Sequence, residues 1–174
     1  PLYSSAASDV YKRQDEISNF VSVSPSDEIF VSASVRSYGP GRYDLAILKL
    51  DANGALLKQV AYGGGADDLA IGRTAFDSSG NLYVTGRTLS YTNGANDLIL
   101  LKIADDCSLM WAKSFGGSSD DMGEGVEVAN DILYVAGVTD FAPGTADTSL
   151  IMRLDLDGNL VWLRSWGQSG LTEP

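Results

Sequence analysis

The chain repeats itself. The segment ISNFVSVSPSDEIFVSAS, starting at Ile17, overlays IGRTAFDSSGNLYVTGR from Ile71 with a small shift near its start. Aligned on Ile29, Leu82 and Leu133, the copies follow at intervals of 53 and 51 residues, and Lys49, Lys102 and Arg153 repeat the same two intervals. A period of about fifty residues marks supersecondary units that bury their apolar faces by stacking on one another.

The second copy divides most clearly. Strand-length runs GRTAFD, LYVTGRT, DLILLKI and LMWAKSF are separated by the turn SSGN, a polar loop and the turn ADDCS. Connections this short make hairpins, because parallel pairing needs a crossover of about a dozen residues or more. The runs from Ala46 to Leu50 and from Leu98 to Ile103 are apolar at successive positions, so both faces of each strand must be covered. Glycine (19 residues) and tyrosine (8) favour turns and strands, and no segment has helical periodicity. The expected fold is all-β: a β-propeller fragment of three four-stranded antiparallel blades of about 51–53 residues each, spanning 15–66, 67–119 and 120–174.

These units resemble the SBBP (seven-bladed β-propeller) repeat of bacterial and archaeal proteins. The likeness covers residues 15–174 and rests on Asp77-Ser78-Ser79-Gly80-Asn81, on Tyr83-Val84-Thr85-Gly86 and Tyr134-Val135-Ala136-Gly137, on Leu48-Lys49-Leu50-Asp51, and on Gly116-Gly117-Ser118-Ser119-Asp120-Asp121. Cys107 departs from the pattern where Gly54 and Gly158 stand, the hairpin before Leu133 is two residues shorter, and Leu171-Thr172 replaces an expected Asp pair. The resemblance implies a secreted or cell-surface setting and a non-catalytic scaffold or interaction module. The competing readings are a propeller enzyme such as a quinoprotein dehydrogenase, to which the run LDLDGNLVW bears some likeness, and a purely structural spacer.

Residues 4–14, SSAASDVYKRQ, are encoded residue for residue by a common transposase-adapter read. Residues 1–14 are therefore expected to be a non-native tail and carry no weight in the fold. Similarity to the later copies begins just after Gln14.

Charge and composition exclude several function classes. A net charge of -11 repels nucleic acid and anionic membrane surfaces, and no basic stripe overcomes it. No run approaches the roughly 18–20 apolar residues of a membrane helix, so this segment is not expected to insert into a membrane. With no histidine and a single cysteine, Cys107, neither a Ser-His-Asp nor a Cys-His site lies wholly within the chain, and no internal disulfide forms. No catalytic residue is assigned, and no cofactor apart from the calcium considered next.

Asp67-Asp68 and Asp120-Asp121 follow glycine-rich bends and are the candidate calcium ligands, with Asp15 as a remnant of a third copy. Calcium takes about six to eight oxygens, more than one Asp pair supplies, so the nearer explanation is that they hydrogen-bond the segments joining the blades. Asp51-Ala52-Asn53-Gly54 and Asp155-Leu156-Asp157-Gly158 lack the distal ligands of a calcium loop and suit hairpin turns with glycine at positive φ. Trp111 and Trp162 stand at equivalent positions, with Lys58 there in the first copy, as do Tyr62, Phe115 and Trp166, and this recurrence suits packing between blades, with a sugar-stacking platform as the alternative. The loops Ser37–Tyr43, Thr88–Asn96 and Thr139–Asp147 differ while their flanks agree. They are the expected binding surface for a protein or carbohydrate ligand, with Tyr43, Tyr91 and Asn93 as the contact candidates. Three blades do not close a ring, so the chain alone is expected to self-associate or to need further blades.

Overall fold

The computed structural model describes residues 16–36, 42–92, 95–139 and 148–167. They form three antiparallel sheets and, among the described residues, no helix. In the first sheet β1 (Glu16–Val23), β2 (Ile29–Val35), β3 (Asp44–Leu50) and β4 (Leu56–Tyr62) pair in sequence order. The third repeats that order with β10 (Asp121–Ala129), β11 (Ile132–Thr139), β12 (Thr148–Asp155) and β13 (Leu160–Trp166). No helix among the described residues is long and apolar enough to cross a membrane.

The second sheet differs from the four even strands expected of it. β7 (Leu82–Thr88), β8 (Asp97–Ile103) and β9 (Leu109–Phe115) match the runs read from the sequence, but the first strand is split into β5 (Asp68–Leu69) and β6 (Ala75–Phe76). Both pieces pair with β7. Between them Arg73 turns to the third sheet, donating its N–H to the Glu124 carbonyl and accepting from Val126 N–H. β1 and β10 make the same adjustment more gently, through bulges between Ser18 and Phe20 and between Gly123 and Gly125.

The β3–β4 hairpin turn and its two counterparts are superimposable in their hydrogen bonds. Asp51, Ala104 and Asp155 each receive the N–H of the residue three positions on, and each donates to the carbonyl four positions on. The third residue after each lies at positive φ: Gly54 at 80°, Cys107 at 60° and Gly158 at 74°. Cys107 therefore carries the left-handed strain that glycine avoids. The shorter hairpin before Leu133 instead places Asn130 and Asp131 both at positive φ, as a two-residue turn requires.

Alternation along the strands gives each sheet two faces, and the sheets stack. Phe30, Leu45 and Ile47 of the first sheet share a core with Leu82, Val84, Ile99 and Leu101 of the second. Tyr83, Leu98 and Leu100, on the opposite face of the second sheet, share another with Leu133, Val135, Leu150 and Met152 of the third. The double-sided burial of β8 follows: all seven of its residues are buried. Tyr62, Phe115 and Trp111 pack against these cores as expected, but Trp166 is 53% exposed, since no described sheet lies beyond the third.

Candidate functional site

The segments joining successive sheets meet the residues just before β3 and β8, and Ser90 and Tyr91 after β7, along one edge. Tyr43 N–H donates to Asp67 Oδ1 at 3.1 Å, and Asp68 N–H donates back to the Tyr43 carbonyl at 2.8 Å. One sheet later, Asn96 N–H donates to Asp120 Oδ1 at 3.0 Å and Asp121 N–H to the Asn96 carbonyl at 2.7 Å. Each Asp pair thus clamps the chain just before β3 or β8 of the preceding sheet. The Asn96 side chain adds a bond to Asp120 at 2.6 Å, and these bonds from Asn96 hold the Asp120 carboxyl below the usual carboxylate range.

The second aspartate of each pair points inward. Asp68 is buried and accepts from Gly64 N–H at 2.8 Å, from Ser90 Oγ at 2.6 Å and from Thr88 Oγ1. Asp121 is buried too and accepts from Gly117 N–H at 3.0 Å. The glycine that opens each bend must stay small. A Cβ on Gly63 would lie 1.9 Å from Asp44 Oδ1, and one on Gly116 would lie 2.4 Å from Asp97 Oδ1. Asp44, Asp97, Thr88 and Ser90 were not singled out by sequence reasoning, although the 53-residue recurrence of Asp44 as Asp97 was a usable signal.

The structure brings the tyrosines and the aspartates to this one edge. Tyr91 is 54% exposed, and its hydroxyl donates to the Gly63 carbonyl at 3.2 Å, tying the β7–β8 loop to the preceding joining segment. Tyr43 is half-buried under the Arg36 guanidinium, 5.5 Å from its ring centre. Asn93 lies outside the described residues, as do Asp15, residues 37–41 and residues 140–147. Among the described residues no group of three or more acidic, cysteine or histidine side chains converges as a metal site would require. The edge offers a phenol ring, backbone carbonyls and clamped carboxylates: hydrogen bonding and ring stacking, on a backbone held by repeated bonds.

No protein-family model matches the chain, and no curated protein matches it significantly.

Proposed function

We propose that the three sheets are consecutive blades of a β-propeller, similar to SBBP repeats, and that the chain is a non-catalytic scaffold of an extracellular or cell-surface protein. On this reading the loop edge carries a binding site for a protein or carbohydrate ligand. The observation that carries it is the recurring clamp, Asp67 on Tyr43 and Asp120 on Asn96, which fixes the loop bases in register along one edge. Variable loops on a rigid, repeated base are a common way for repeat proteins to present recognition. Tyr91 supports a contact role, as its ring is exposed while its hydroxyl is anchored.

The test is capture of ligands from glycan and extracellular-protein arrays by the full chain and by Tyr43→Ala, Tyr91→Ala and Asn93→Ala variants. The reading expects at least one captured ligand to lose about tenfold or more in affinity, roughly 1.4 kcal/mol, on loop substitution. Ligands bound equally well by all the variants contradict it.

A further inference from the structure

We infer that a cavity at the second interface, between the second and third sheets, is a binding site for a small organic cation: a primary ammonium group on an apolar body about the size of an aromatic ring. The inference goes beyond the loop-edge reading and does not rest on it.

The cavity has a volume of about 250 Å³, and its apolar wall is made by Leu98 and Phe115 of the second sheet with Leu150, Met152 and Leu163 of the third. The one charged residue lining it is Asp121. Gly117 and Ser118 line it too and are exposed, which places its mouth at the bend joining the two sheets. A cavity of about 150 Å³ holds benzene, so this one has room for a ring and a short chain.

The corresponding place at the first interface, between the first and second sheets, shows what Asp121 lacks. Asp68 and Asp121 open their sheets alike, Asp68 opposite Thr88 and Asp121 opposite Thr139. Asp68 accepts from Gly64 N–H and from the hydroxyls of Thr88 and Ser90. Asp121, equally buried, accepts only from Gly117 N–H among the described residues. Thr139 lines the cavity without donating to it, and in sequence Phe141, which has no hydroxyl, takes the place of Ser90. The bend is also more open here. A Cβ on Gly64 would lie 2.6 Å from Ser90 Cβ, whereas one on Gly117 would meet nothing within 4 Å.

The charge at this end of the cavity is negative. Asp97 Oδ1 and Asp121 Oδ2 lie 2.4 and 2.7 Å from the place a Cβ on Gly116 would take, so two buried carboxylates converge on one bend. Among the described residues no lysine or arginine pairs with Asp121. A buried carboxylate short of donors is costly, and an ammonium group supplies both the donor and the counter-charge. The apolar wall then takes the body of the same molecule. A bare calcium ion does not suit the place, since it takes about six to eight oxygens and most of this wall is carbon.

Amide NMR titration of the full chain near neutrality tests this, with phenethylammonium chloride as the probe and phenethyl alcohol as its neutral counterpart of the same shape. Saturable shifts are expected at Gly117, Thr139 and Leu163, with the ammonium ion bound about tenfold or more tighter than the alcohol. Asp121→Asn keeps an acceptor for Gly117 N–H and is expected to bring the two affinities together. Leu163→Trp fills the cavity from its exposed wall and is expected to abolish binding of both probes, with a dispersed amide spectrum retained. No saturable shift at these residues, equal affinities for the two probes in the wild-type chain, or an ammonium affinity unchanged by either substitution overturns the inference. The wild-type comparison and Leu163→Trp decide the matter where Asp121→Asn fails to fold. Tyr43, Tyr91 and Asn93 are left intact throughout, so failure here leaves the loop-edge reading standing.

Discussion

Lys102 and Asp77 form an ion pair inside the second interface, Nζ to Oδ2 3.5 Å, with side chains 9% and 2% exposed. The Tyr83 hydroxyl donates to the same carboxylate at 3.1 Å, and Asn81 donates through both its backbone and its side chain. The pair joins the turn of its own sheet to the neighbour, since Lys102 also reaches the Leu156 carbonyl. At the first interface Lys49 pairs differently, with Glu28 at 2.7 Å and Asp105 at 3.0 Å, because Ser24 stands where Asp77 does.

Breaking this pair from one side leaves a buried ammonium group without its counter-ion. Asp77→Ala is expected to cost about 3 kcal/mol or more in urea unfolding, within the range for buried pairs that lose one partner. Burial works against ionisation of Asp77, yet the bonds from Asn81 and Tyr83 and the charge of Lys102 outweigh it and hold the carboxyl below the usual 3.8. Its stabilisation is present above that value and is lost as pH falls through the lower value of the folded protein. The stability gap between wild type and Asp77→Asn is therefore expected to be full near neutrality and to shrink below pH 3.8. A gap constant into acid contradicts the assignment.

Gly86 explains the glycine of the YVTG phrase. A Cβ there would lie 1.9 Å from the Leu69 carbonyl oxygen, and one on Gly137 would lie 2.1 Å from that of Met122. Gly86→Ala is expected to destabilise by about 3 kcal/mol or more, because backbone must shift. Gly80, at φ 82° with open space around it, is the control. Gly80→Ala should cost about 1 kcal/mol, from left-handed strain alone. Equal losses in thermal unfolding would refute the close approach at Gly86.

Tyr62 crosses the first interface to donate its hydroxyl to the Cys107 carbonyl at 2.5 Å. Burial, with the nearby Cys107 and Asp106, pushes its ionisation up to about 12. The neutral phenol is favoured by folding, so its contribution is present below the ordinary 10.0 and is lost as pH rises towards 12. Spectrophotometric titration is expected to show a late-ionising tyrosine that Tyr62→Phe removes, at a cost of about 1 kcal/mol. An unchanged titration curve in that variant would rule the bond out.

Cys107 is 2% exposed, and burial raises its thiol above the usual value. Aromatic disulfide reagents are expected to label it only at the rate of unfolding. Rapid labelling of native protein would place the turn outside the core.

What was legible in the sequence follows from which contacts are local. The runs LYVTGRT, DLILLKI and LMWAKSF coincide with β7, β8 and β9, because alternation and turn residues lie beside the strands they define. The split of GRTAFD was not legible, as it depends on Arg73 bonding to Glu124 and Val126 of the next sheet. Recurrence placed the Asp pairs in the joining segments. It did not separate the outward Asp67 and Asp120 from the buried Asp68 and Asp121, whose partners Thr88, Ser90 and Gly117 are set by the bend. Recurrence also set Trp166 beside Tyr62 and Phe115, but burial needs a neighbouring sheet, and Trp166 has none among the described residues.

The stacking of equivalent sheets is the claim on which everything above depends, and proton NMR tests it directly. Nuclear Overhauser contacts are expected between the Trp111 indole and the Gly158 α-protons, and between the Phe30 and Phe76 rings, whose centres lie 5.3 Å apart across the first interface. Both sets together place the three sheets in one stack. Absence of either set in folded protein would contradict the stack.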